Sequence, residues 1–73
     1  MKFLWNKEHT RSVKASAIRE INIYDAKYES PDRKPKWKVL GWYNKNEDFH
    51  FGYFDTIEEA EQFVEKLHEE MAK

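Results

Sequence analysis

The chain has 73 residues, of which 37% are charged and none is cysteine, with a formal net charge of -1. One core fits that length, burying only about 60% of the surface an unfolded chain exposes. Disulfides, thiolate chemistry and Cys-based zinc sites are excluded, and no apolar run approaches the roughly 18 residues that span a bilayer. The stretch from Met1 to Trp5 is too short for the apolar region of a signal peptide. Aromatic residues reach 16%, whereas disordered chains are aromatic-poor. The expectation is a single cytoplasmic globular domain over residues 1–73.

In chain order, residues 2–5 and 11–15 read as a small hairpin around Asn6 to Thr10. Glu20 to Tyr28 reads as a strand with Ile21 and Ile23 on one face and Tyr24, Ala26 and Tyr28 on the other. That change of apolar side predicts a bulge or strong twist near Tyr24. Ser30 to Pro35 holds both prolines and predicts an exposed loop. Trp37 to Tyr43 and Phe49 to Phe54 form a predicted hairpin across the turn residues Asn44 to Asp48. Isolated Gly41 and Gly52, in neighbouring strands, are expected to let a bulky side chain lie across them or to mark a bulge.

Helix is predicted from residue 56 to about 71. Thr56, Ile57, Glu58 and Glu59 have the form of a capping box, and Ile57, Ala60, Val64, Leu67 and Met71 recur at steps of three and four, with Phe63 widening the stripe. Glu58 and Glu59 suit the helix start and Lys73 its end. The whole is an α+β domain: an antiparallel meander of four or five strands, within about residues 2–54, packed on one C-terminal helix.

Nothing in the spacing forces catalytic groups to converge. His9, His50 and His68 fall on a loop, a strand and a helix and read as separate surface histidines, not metal ligands. Ser12, Ser16 and Ser30 lack a nucleophile-elbow context, and neither glycine opens a phosphate loop. The expectation is a non-enzymatic protein with no cofactor and no metal.

Aromatics are more informative. Strict alternation puts Trp37, Val39 and Tyr43 opposite Leu40 and Trp42, and Phe49, Phe51 and Tyr53 opposite His50 and Phe54. One helix covers one sheet face. The remaining aromatics either form a second small core with Phe3, Leu4 and Trp5 or stay exposed as a binding or dimer surface.

Charge is divided along the chain. Residues 1–45 hold eleven Lys/Arg against five Asp/Glu, and residues 46–73 hold two against nine. Glu58, Glu61, Glu65 and Glu69 form one ridge on the predicted helix, either a solvated face or a docking ridge for a basic surface. Arg33, Lys34, Lys36 and Lys38, interleaved with Trp37, read either as a solubilising hairpin tip or as a loop that tracks phosphates while Trp37 stacks on a base.

The stretch from Trp37 through Gly52-Tyr53-Phe54-Asp55-Thr56-Ile57-Glu58-Glu59-Ala60 resembles the arm-type DNA-binding domains of phage-family integrases, over about half of the chain. That resemblance implies a three-stranded sheet, a packing helix and DNA contact through the outer sheet face. As a whole the chain is also similar in style to small meander-plus-helix proteins of Gram-positive bacteria and their phages.

Two functional readings result. The first is a stand-alone interaction protein, of a kind phages encode, that binds and inhibits a basic protein partner. Glu58, Glu61, Glu65 and Glu69 would steer the partner, and Trp37 and Tyr43 would anchor it. The second is a nucleic-acid-binding module using Arg33, Lys34, Lys36, Trp37 and Lys38, with Arg11 and Lys14 adjacent. A homodimer is compatible with both.

Overall fold

In the computed structural model, which describes residues 2–26 and 36–72, the chain runs through β1 (Phe3–Trp5), β2 (Ser12–Lys14), a single 3-10 turn (Ala15–Ala17), β3 (Glu20–Asp25), β4 (Trp37–Trp42), β5 (Asp48–Phe54) and α1 (Ile57–Ala72). The result is the expected α+β arrangement. Its five antiparallel strands divide into a two-stranded ribbon, β1-β2, and a three-stranded meander, β3-β4-β5. The predicted loop from Ser30 to Pro35, and Tyr28 and Lys73, lie outside the described residues.

The ribbon shows why strand alternation matters even over three residues. Leu4 pairs with Val13, and both are buried, while Phe3, Trp5, Ser12 and Lys14 face outward. The intervening turn is organised by Asn6, a polar side chain only 7% exposed. Its Oδ1 accepts from the amides of Thr10 (2.9 Å) and Arg11 (3.1 Å), and its Nδ2 donates to the Thr10 hydroxyl at 2.9 Å. His9 takes a left-handed φ of 57° to close the loop. Removing the Asn6 amide strands two backbone donors, so Asn6→Ala is expected to cost about 1–3 kcal/mol. Urea unfolding checks this, and Asn6→Asp, which keeps the acceptor, should lose less.

The meander carries a bulge beside Gly52, one of the two glycines expected to mark one, and none near Tyr24. β3 pairs with β4 in unbroken register from Glu20 opposite Trp42 to Asp25 opposite Trp37, so there is no irregularity at Tyr24. Its apolar residues lie on both sides because both sheet faces carry aromatic or apolar groups. The register shifts instead between β4 and β5: Val39 faces Gly52 while Leu40 faces His50, leaving Phe51 as the extra residue.

That one residue corrects the predicted faces of β5. Past the bulge the alternation reverses, so Phe54 joins Phe49 and Phe51 in the core, and Tyr53 lies beside His50, ring centroids 4.7 Å apart. Gly41 accommodates the turn of events: a Cβ there would lie 2.7 Å from Phe51 Cε2, so the Phe51 ring passes over it as predicted.

A single core results. Leu4, Val13, Ile18, Val39, Phe49, Phe51, Phe54, Ala60 and Leu67 form one buried cluster, with Ile21, Ile23, Phe63, Val64 and Met71 packed against it. Helix α1 crosses β3, β4 and β5 and also meets β1. Glu59 N–H donates to Thr56 Oγ1 at 3.2 Å, the first half of the predicted capping box. Among the described residues no second core forms under the ribbon, because the ribbon does not cover the outer sheet face. It docks along β5, where the Lys7 amide donates to the Phe51 carbonyl (2.7 Å) and Lys7 Nζ to the Tyr53 carbonyl (2.6 Å).

Candidate interaction surfaces

Helix geometry places the acidic ridge. At 3.6 residues per turn, Glu58, Glu61, Glu65 and Glu69 fall away from the buried pair Ala60 and Leu67, and all four are exposed. The aromatic anchors assigned with them lie off the helix, at the start of β4 and just past its end. Trp37 and Tyr43 pack against the core on the helix-covered face and are half-buried. The reason is that odd-numbered positions of β4 point at α1.

Among the described residues the exposed aromatics are Phe3, Trp5 and Tyr24. Phe3 and Trp5 are 48% and 46% exposed, the outward pair that flanks Leu4. Beside them β1 and α1 enclose a groove of about 490 Å³ whose lining includes Phe3, Trp5, Phe63, Lys66, Glu69 and Glu70. His9 stacks on Trp5, centroids 5.5 Å apart and planes 7° from parallel. Apolar area and the carboxyl-terminal part of the acidic ridge therefore meet in one place. The signal in the sequence is Phe3-Leu4-Trp5 itself: a strand that short, with its middle residue buried, must turn its neighbours outward.

The described members of the basic set are not gathered into one patch. Arg33 and Lys34 lie outside the described residues. Lys36 forms an ion pair with Asp55 at the start of the helix approach. Lys38 lies on the outer sheet face between Tyr24 and Tyr53. Arg11 sits over the Phe49 ring, 5.2 Å from its centroid, and Lys14 is exposed on β2. Phe49 pairs with Gly41 and Trp37 with Phe54, so Arg11 and Lys36 stand toward opposite ends of the β4-β5 pair. Lys7, not anticipated, lies over Phe54 at 4.7 Å.

The outer face of the meander is the third surface. Its rows, from β3 to β5, are Glu20-Trp42-Asp48, Asn22-Leu40-His50 and Tyr24-Lys38-Tyr53. Leu40 is only 6% exposed, shielded by these neighbours. A shallow cleft of about 410 Å³ opens here, and Arg19, Glu20, Tyr24, Trp42, Asn44 and Lys45 are among its lining. The Trp42 indole Nε1 is buried without an acceptor among the described residues.

Among the described residues no three His, Asp or Glu side chains are placed to hold a metal ion. His9 stacks on Trp5, His50 is in the outer face and His68 is exposed on α1. None of the described helices is long and apolar enough to cross a membrane. Comparison with protein-family models, with curated proteins and with solved structures gave no match.

Proposed function

We propose that the protein is a non-catalytic binding module for a basic protein surface, and that the groove between β1 and α1 is where it binds. One observation carries this reading: the two most exposed aromatic side chains among the described residues, Phe3 and Trp5, border the same groove as Glu69 and Glu70. Aromatic groups supply contact area at small entropic cost, and rim carboxylates supply steering and register toward Lys and Arg. Glu58, Glu61 and Glu65 extend the negative field along the helix. Stoichiometric occupancy of a basic surface would also inhibit a partner that uses that surface for an anionic substrate.

Selection from a random peptide library tests the reading. Enriched peptides are expected to carry an apolar residue flanked by Lys or Arg. Trp5→Ala should weaken the best of them by about tenfold or more, the loss typical of a central aromatic contact. Glu69→Lys with Glu70→Lys should slow association and reduce its salt dependence. Enrichment without basic residues, or affinity indifferent to Trp5, would sink it.

The outer sheet face supports a second reading. Trp42, Tyr24 and Tyr53 with Arg19, Lys38 and Lys45 offer aromatic and cationic groups to single-stranded nucleic acid, beside the acids Glu20 and Asp48, and the Trp42 indole, without an acceptor among the described residues, is the observation in its favour. Binding of oligonucleotides that falls steeply with salt would identify it.

A further inference from the structure

The two edges of the meander differ. Along β5 the ribbon is docked through Lys7. Along β3 no strand pairs among the described residues. The direction of its backbone groups follows from the ladder: Ala26 N–H donates to the Lys36 carbonyl at 2.9 Å, and antiparallel pairs alternate. Asn22 and Tyr24 therefore bond to β4, while the N–H and C=O of Ile21 and Ile23 point outward. Such an edge is normally blunted by lysine, proline or a bulge. β3, with the sequence Glu-Ile-Asn-Ile-Tyr-Asp, has no lysine or proline and keeps unbroken register.

We propose that β3 pairs antiparallel with β3 of a second copy about a twofold axis through Asn22, joining the two meanders into one six-stranded sheet. The register is fixed by complementarity. On the helix-covered face, Ile21 then lies opposite the partner's Ile23, and the reverse. On the outer face, Glu20 lies opposite the partner's Tyr24, with the partner's Lys38 one strand further on, so an acid closes on a hydroxyl and a base. Tyr24 Oη accepts from Asn22 Nδ2 at 3.3 Å, which leaves its own proton to donate. Asn22 faces the partner's Asn22 on the axis, where two amides both donate and accept. Moving the axis to Ile23 would set Ile21 against the partner's Asp25. Moving it to Ile21 would set Ile23 against the partner's Arg19, outside the partner's strand, and lose the pairing of Ile21 with Ile23. Twofold pairing of one patch with itself is the commonest form of assembly.

The axis position gives a specific test. Sedimentation of the intact chain over a dilution series should show a dimer that dissociates to monomer. Asn22→Lys puts two like charges directly opposite each other and should weaken the dimer by about tenfold. Asn22→Glu should do the same, and an equimolar mixture of the two variants should form a mixed dimer at least as tight as the native one. Unchanged helical circular dichroism confirms that the variants fold. Hydrogen exchange adds a second readout: the amides of Ile21 and Ile23 should slow with concentration, whereas those of Asn22 and Tyr24 should not change. A chain that is monomeric at every concentration overturns the proposal and leaves the edge for a strand from another protein. A dimer indifferent to charge at position 22, or one dissolved by Trp5→Ala, also overturns it.

Discussion

Phe51→Ala is expected to lower the free energy of unfolding by about 3–5 kcal/mol, the loss typical of a large-to-small change at a fully enclosed aromatic. Phe51 has no exposed surface. Its ring meets Phe49 edge-on at 4.9 Å and Phe63 at 5.9 Å, and it passes over Gly41. Because it is also the extra residue of the bulge, its neighbours are held by the register shift and cannot easily collapse into the space left. A domain has about 5–15 kcal/mol in total, so the variant should be substantially destabilised at 37 °C. The urea midpoint should fall with little change in slope. Phe3→Ala is the control: at 48% exposure it should cost roughly 1 kcal/mol or less. Equal losses at the two positions would contradict the single-core description.

Gly52→Ala is the second large effect, at about 2–4 kcal/mol from backbone strain and overpacking together. Gly52 has φ 150°, and a Cβ there would stand 2.7 Å from the Lys7 Cβ. Two penalties coincide. An L side chain rarely adopts that backbone angle, and the methyl group would push the ribbon away from β5. The second penalty has its own signature, since the Lys7 amide donates to the Phe51 carbonyl. Exchange of the Lys7 amide should therefore accelerate in the variant beyond the loss of global stability. A variant as stable as the native chain would show that the ribbon is not seated there.

The helix was legible because its evidence is local: a cap, a periodic stripe and an acidic first turn. Strands β4 and β5 were legible from alternation and the turn between them. What alternation alone could not give was the parity of Phe54, because one inserted residue reverses every side chain after it. The cue was present in the spacing of Phe49, Phe51 and Phe54, which steps by two and then by three across Gly52. A step of three around a glycine in a strand is what a bulge looks like in sequence. The candidate site was less legible for a different reason. Trp37 and Tyr43 look like anchors only if their face is free, and the face covered by α1 is decided by packing between distant segments. The docking of the ribbon rests likewise on Lys7 contacts to β5 across more than forty residues, which no local pattern encodes. Asn6 reads in the sequence as one turn residue among five, yet its buried amide organises the whole ribbon loop.

The three tryptophans divide the surfaces among them: Trp5 borders the β1-α1 groove, Trp37 packs against the core, and Trp42 belongs to the outer sheet face. Their indole N–H signals in a nitrogen–proton correlation spectrum are thus three built-in reporters. The decisive measurement is a titration of the labelled protein with the basic peptide that library selection enriches. The Trp5 indole should shift together with the amides of Glu69 and Glu70, while the Trp42 indole stays in place. Movement of Trp42 with Trp5 unmoved would contradict the account and assign binding to the outer face of the sheet.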